Sequence, residues 1–181
     1  TDLINAGTYV LEPSVLGRIA GDRKVSIERE VFPAMVADGT LYAMDGHTYW
    51  IDTGTPAKYL QAQIDLLRGE RGEKVQGVHP GARIDEGAIV ARSVVGVGAH
   101  VAAGAEVRGS ILLPGSSIGA HAVVERAIVG PGATVGERAR VDDLAVLGDR
   151  AVVDPGLRVS GGSVGVDEHG ARIDVADPLA A

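Results

Sequence analysis

Aliphatic residues recur every seventeen positions through the second half of the chain, and few folds tolerate so strict an interval. Ile84, Val101, Ile118, Val135 and Val152 form one series. Val90, Val107, Val124 and Val141 form a second, and Val78, Val95, Leu112, Val129 and Val146 a third. The steps between series are six, five and six residues, which sum to the repeat. A small residue stands two places before the anchor, as Ala88, Ala105, Ala122 and Ala139 and as Ala82, Ala99, Ser116 and Ala133. Glycines lead the latter set at Gly81, Gly98, Gly115 and Gly132. A chain that turns one aliphatic side chain inward per five or six residues, with turn formers between, winds a three-sided coil. One coil is too thin to bury its own apolar side, so coils must stack. The pattern predicts a left-handed parallel β-helix of hexapeptide repeats over residues 78–162. It holds about five coils and, at roughly 4.8 Å per rung, stands about 24 Å tall. A β-sandwich would alternate with period two and vary its loops, and would not keep one register over so many turns.

Composition agrees with a narrow aliphatic core, since no Phe, Tyr or Trp follows Tyr59. The chain has no cysteine, which removes a disulfide framework and a cysteine-ligated zinc site. Its net charge of −7 is spread over interspersed acids and bases, which argues against a nucleic-acid surface. No run is long and apolar enough to cross a membrane, and no secretory leader precedes the first apolar segment, so the expected compartment is the cytoplasm.

The first part of the chain reads as a different kind of structure. Residues 1–69 are expected to be an α/β segment, 70–77 a linker, 78–162 the β-helix and 163–181 a tail or cap. Leu3 to Leu11 is a near-continuous apolar run suited to a buried strand. Pro13 can open a short helix through Ile19. Ser26 can cap a further turn, and Pro33 begins a helical piece carrying Met35 and Val36. Leu41 to Met44, Asp45-Gly46 and Thr48 to Ile51 read as strand, turn and strand. A well-marked helix follows, with Thr55 as N-cap, Pro56 in the first turn, Leu60, Ile64 and Leu67 as its stripe and Gly69 at its end. Val164, Val166, Ile173 and Val175 fall outside the seventeen-residue register. Segments this short bury little of their surface, so the front is expected to be the C-terminal part of a larger domain.

The most specific local motif is Trp50-Ile51-Asp52-Thr53-Gly54-Thr55-Pro56. It sets Asp52 where a strand is expected to end and a helix to begin, the place where open α/β sheets present ligands. A carboxylate there can hold Mg²⁺ together with substrate phosphates, or it can cap the turn into the helix. Both readings stand on spacing alone.

Ile4-Asn5-Ala6-Gly7-Thr8-Tyr9, Ser26-Ile27-Glu28-Arg29-Glu30-Val31-Phe32-Pro33 and Trp50 to Pro56, followed by the repeats, resemble the sugar-nucleotide pyrophosphorylases. Within them the Ser26–Pro33 segment is most similar to the GDP-mannose pyrophosphorylase (mannose-1-phosphate guanylyltransferase) branch. The resemblance implies nucleotidyl transfer, in which a sugar 1-phosphate attacks the α-phosphorus of a nucleoside triphosphate and pyrophosphate leaves. It implies Mg²⁺ held by two aspartates, with Asp52 matching the second. It also implies Asn5 hydrogen-bonded to sugar hydroxyls, Gly7 keeping backbone bulk away from the sugar, and Glu28 beside the sugar pocket. Glu28 also reads as a solvated carboxylate in a first helical turn, and Gly7 as a bulge. The implied substrates are GTP and mannose 1-phosphate, with UTP, ATP and dTTP left open because the base-selecting residues would lie upstream of Thr1. The triphosphate-gripping loop, the first metal-binding aspartate and a Glu-Lys-Pro segment have no counterpart here. The expectation is therefore a C-terminal fragment, inactive without its N-terminal half.

Other readings of the same residues exist. A hexapeptide acyltransferase would use His100 or His121 as general base. A zinc enzyme on the prism would converge His79, His100 and His121 on the metal. Their spacing of twenty-one slips four places per coil against a period of seventeen, which sets them at different positions around the prism. A non-catalytic regulatory or assembly subunit is the third reading. The open strand edges of a solenoid call for capping or pairing, so homo-oligomerisation through the prism is expected.

Overall fold

A computed structural model describes residues 4–46, 48–166 and 172–175. The chain divides into two compact units, Thr1–Trp50 and Ile51–Ala181.

The second unit is a parallel β-solenoid of about five turns. Strands Arg83–Ile84, His100–Val101, Ser117–Ile118, Thr134–Val135 and Val152–Val153 stack in that order on one face. Ile89–Ala91, Glu106–Arg108, Val123–Glu125, Arg140–Asp142 and Arg158–Ser160 stack on the second. Val94–Val95, Ile111–Leu112, Ile128–Val129, Val146–Leu147 and Ser163–Val166 form the third. All neighbours within these stacks are parallel. Backbone bonds such as Ile89 N–H to Ala105 O at 2.8 Å and Glu106 N–H to Ala122 O at 2.8 Å join rung to rung.

The core holds one aliphatic side chain per side per turn: Val95, Val101, Val107, Leu112, Ile118, Val124, Val129, Val135 and Val141 are fully buried. Alanines two places earlier, Ala99, Ala105, Ala122, Ala133 and Ala139, are buried beside them, because the chain turns too sharply there for a larger side chain. Gly130 shows how tight the winding is. A Cβ on it would lie 2.4 Å from the Leu147 carbonyl oxygen.

The register departs from seventeen at one corner. Val129 pairs with Leu147 and Val135 with Val153, each eighteen residues on. Leu147 and Val153 are therefore the inward residues, at 1% and 0% exposure, while Val152 is 46% exposed. The expected anchors Val146 and Val152 are each one place off. The extra residue sits in Asp142-Asp143-Leu144, where Asp143 and Leu144 both take left-handed φ, 56° and 64°. Val164 then follows Leu147 by seventeen and is buried at 3%, so it belongs to the repeat after all. Strand Arg172–Val175 runs antiparallel to Ser163–Val166. The rest of the 163–181 tail lies outside the described residues, as do the side chains of Val166, Ile173 and Val175.

Helix α1, Pro56–Arg68, belongs to this unit. The Thr55 hydroxyl accepts from Lys58 N–H, Pro56 occupies the first turn, and Gly69 ends the helix with φ 81°. Its stripe lies on the outer side of the third face, where Leu60 is buried with Ile111 and Ile128 and Ile64 packs beside them. The helix that precedes residue 69 in sequence is thus packed with the solenoid.

The first unit is helical. A 3₁₀ turn spans Pro13–Arg18, a π turn Ile27–Val31, and a short α-helix follows at Phe32–Ala37. Ser26 caps the π turn reciprocally, as in a capping box but with the acid four places on rather than three. Its hydroxyl accepts from Arg29 N–H at 3.3 Å, and Glu30 accepts from Ser26 N–H at 3.0 Å. Val15, Val31, Phe32 and Met35 form its small core. The three strands expected in this region are not formed among the described residues. Val10, Tyr42 and Met44 are almost wholly exposed, and no neighbouring strand takes the backbone groups of 4–11 or 41–51. Leu3 lies outside the described residues. An apolar run becomes a strand only where another strand accepts its N–H and C=O groups.

Candidate functional site

Asn5, Gly7 and Glu28 come together in the first unit, and the residue joining them is Tyr9. The Asn5 side-chain amide donates to the Tyr9 hydroxyl at 2.7 Å and to Glu28 Oε1 at 3.0 Å. Tyr9 in turn donates its hydroxyl proton to the same Glu28 oxygen. Asn5 Oδ1 accepts from Gly7 N–H at 2.8 Å, so the amide is held at both ends. Gly7 takes φ 71° with open space around it, and it is the backbone conformation that calls for glycine there. The Tyr9 ring stands edge-on to Phe32, centroids 4.9 Å apart, which fixes the phenol against the small core. Glu28 lies in the turn capped by Ser26.

Hydrogen bonding to Glu28 raises the Tyr9 pKa above its usual value. Desolvation and the Glu28 charge act in the same direction, and the Asn5 bond opposes them. Asn5, Gly7, Tyr9 and Glu28 all lie at the surface. The cluster therefore sets an amide and a carboxylate side by side, a combination that suits a ligand rich in hydroxyls once that ligand takes the place of one internal Asn5 bond. Tyr9 carries no role of its own in the sequence pattern, although it ends the Ile4–Tyr9 motif. An aromatic carrying a hydroxyl four residues from an asparagine is the available signal.

Asp52 belongs to the other unit, just before helix α1. It is exposed, and its Oδ1 accepts from Gly54 N–H at 2.9 Å, the turn that leads to the Thr55 cap. Among the described residues no strand precedes it. Its second carboxylate oxygen makes no hydrogen bond among the described residues. Mg²⁺ takes one or two carboxylates and fills its shell with water and phosphate oxygens, so the donor present at Asp52 fits such an ion. Among the described residues no three His, Asp or Glu side chains converge as metal ligands.

The histidines occupy different places. His79 is exposed and its Nδ1 accepts from Gly81 N–H. His100 lies on the first face with Nε2 2.8 Å from Asp85 Oδ2, and His121 sits in a corner with φ 57°. Hydrogen bonds from Arg83 first, then from His100, hold the Asp85 carboxyl below its usual range. Among the described residues no helix is long and apolar enough to cross a membrane.

The family models that match this chain meet after helix α1, whereas the compact units meet before it. Residues 1–69 match a family model described as nucleotidyl transferase. The mannose-1-phosphate guanylyltransferase of Mycobacterium tuberculosis is 46% identical over a region covering 54% of this chain and 30% of that protein. The mannose-1-phosphate guanyltransferase of Schizosaccharomyces pombe is 47% identical over 42% of this chain and 21% of its own length. The chain thus spans less than a third of the curated relatives it matches. A solved acetyltransferase domain of PglB from Neisseria gonorrhoeae aligns over 77% of this chain and 90% of its own, with 19% identity and a TM-score of 0.40. A likeness that loose carries no functional argument. Residues 73–169, more than half of the chain, match the model described as GMPPB C-terminal domain, and the chain belongs to that family.

Proposed function

We propose that this chain serves a sugar-1-phosphate nucleotidyltransferase that joins GTP and mannose 1-phosphate into GDP-mannose. A phosphate oxygen of the sugar 1-phosphate attacks the α-phosphorus of the triphosphate. The new P–O bond forms as the bond to the β-phosphate oxygen breaks, and pyrophosphate leaves with that electron pair. Such a transfer needs positioning and charge neutralisation more than covalent help from the protein. Asn5 exchanges one of its two internal bonds for donation to a sugar hydroxyl and Glu28 accepts from one, with Tyr9 orienting the Glu28 carboxylate. Asp52 is the residue that would hold Mg²⁺, whose charge would offset that of the phosphates.

The observation that carries this reading is the Asn5–Tyr9–Glu28 hydrogen-bonded set inside the segment that matches nucleotidyl transferases. The length of the relatives supports a further element of the proposal. The nucleotide-binding half comes from additional polypeptide, joined to this segment or bound to it. The proposed setting is the cytoplasm, where nucleoside triphosphates are supplied, and the proposed assembly is a homo-oligomer through the prism.

The test is pyrophosphate release from protein carrying this segment together with a nucleotide-binding half. It is supplied with each of the four triphosphates, mannose or glucose 1-phosphate, and Mg²⁺. Release is expected with GTP and mannose 1-phosphate, and the segment alone is expected to release none. Silence of the combined protein with all eight pairs would overturn the reading.

A further inference from the structure

The second unit contains a groove of about 320 Å³ between helix α1 and the corner where the second face passes into the third. Leu60 and Ile64 line its helical side. Its other side is built from equivalent corner positions on successive rungs, Arg92, Gly109 and Arg126, with Leu144 at the end. Arg92 and Arg126 are two rungs apart, about 10 Å at roughly 4.8 Å per rung.

What distinguishes these two arginines is that neither meets a carboxylate among the described residues. Eight arginines lie between residues 83 and 158. Six of them meet a carboxylate: Arg83 with Asp85, Arg108 with Glu106, Arg138 with Glu137, Arg140 with Glu125, Arg150 with Asp149 and Arg158 with Asp142. Arg92 and Arg126 meet none among the described residues, and both line the same groove. Arg138 and Arg150 occupy comparable left-handed corners elsewhere, each beside a neighbouring acid. In a chain of net charge −7, two uncompensated guanidiniums in one concavity create a local positive field.

The corner is also stiff. Ser93 Oγ donates to Ala91 O and accepts from Ser110 N–H, and Ser110 Oγ donates to Arg108 O and accepts from Ala127 N–H. These buried hydroxyls tie three rungs together directly behind the arginines. Gly109 leaves the interval between the two side chains open, since the nearest atom to a Cβ built there is Arg126 Cγ at 3.8 Å. Guanidinium forks match phosphate oxygens two at a time.

We propose that this groove binds a diphosphate group, one phosphate on Arg92 and the other on Arg126, with any attached organic part lying along Leu60, Ile64 and Leu144. The groove contains none of Asn5, Glu28 and Asp52, the residues given roles in the proposed transfer.

The test is calorimetric titration of the full chain, without divalent cations, using inorganic pyrophosphate, inorganic phosphate and a nucleoside diphosphate. Pyrophosphate is expected to bind at least about tenfold more tightly than phosphate. Arg92→Gln and Arg126→Gln are each expected to weaken it by about tenfold or more. Arg150→Gln and Asp52→Asn leave it within about twofold, the latter separating this site from the proposed catalytic one. Tighter binding of the nucleoside diphosphate than of pyrophosphate would identify a nucleotide as the source, and equal binding the free diphosphate. Should an arginine variant melt early, Gly109→Asn replaces it. Asparagine tolerates a left-handed φ and fills the interval, so binding should fall with the fold intact. Unchanged pyrophosphate affinity in the double arginine variant would overturn the proposal. So would phosphate binding as tightly as pyrophosphate, or an acidic peptide binding more tightly than either.

Discussion

The Tyr9 hydroxyl and the Asn5 amide converge on one oxygen of Glu28, so a single carboxylate atom gathers hydrogen bonds from residues 19 and 23 positions away. The phenol must keep its proton to donate it, and an ionised phenolate would face the carboxylate charge. The Tyr9 pKa is accordingly raised, through the Glu28 hydrogen bond above all. Glu28→Gln should bring it back toward the ordinary tyrosine value. The measurement is phenolate absorbance against pH, with a Tyr9→Phe chain subtracted. An unchanged midpoint in Glu28→Gln would show that the carboxylate does not hold the phenol.

Val152 and Val153 give a sharp test of the register shift. Val153 is fully buried and Val152 is 46% exposed, although the plain seventeen-residue count favours Val152. Val153→Ala should lower the unfolding free energy by about 1.5–3 kcal/mol. Val152→Ala should stay within about 0.5 kcal/mol of the parent. Denaturant melts of both variants decide it, and the reverse order would restore the uninterrupted repeat.

Asp142 marks the same corner and predicts a pH dependence. Burial pushes its carboxyl pKa upward, but hydrogen bonds from Arg140, Ser160 and Arg158 outweigh this and hold it below the usual carboxylate value. A folded-state pKa below the unfolded value, about 3.9, makes a stabilising contribution that is full above that value. The contribution is lost as pH falls through the folded-state pKa. Asp142→Asn should therefore melt below the parent at neutral pH, and the gap should close as pH drops below about 4. A gap that stays constant with pH would assign the loss to packing instead.

Asp52 can be separated from its turn-forming role. In the combined nucleotidyltransferase, Asp52→Asn should abolish Mg²⁺-dependent pyrophosphate release. The Asn side-chain oxygen still accepts from Gly54 N–H, so the melting temperature should hold. Near-normal turnover would leave Asp52 with the turn alone.

Much of the solenoid could be read directly from residue spacing, because one buried aliphatic per side per turn leaves a periodic trace. The one-residue insertion escaped because Val146-Leu147 and Val152-Val153 are aliphatic pairs, and hydropathy cannot choose within a pair. The alanines could have chosen. Ala145 and Ala151 stand two places before Leu147 and Val153, the same offset the small residues keep throughout, and both are buried. The caps at Ser26 and Thr55 and the stop at Gly69 were legible because they are local chemistry. The strands expected near Leu3–Leu11 and Leu41–Ile51 were not a local matter, since a strand depends on a partner. At the level of sequence only resemblance links Asn5 and Glu28. Nothing in their spacing says that Tyr9 would bridge them.

Each inward side chain of the prism meets its counterpart only seventeen or eighteen residues along the chain. The loop closed at every rung is short and nearly constant in length, so the entropy lost per added coil is nearly constant too. Such a stack behaves as a zipper with equal teeth. Its height can change by whole coils without redesigning what remains, whereas a single residue gained or lost must be absorbed in a corner, as Asp143 and Leu144 absorb it here.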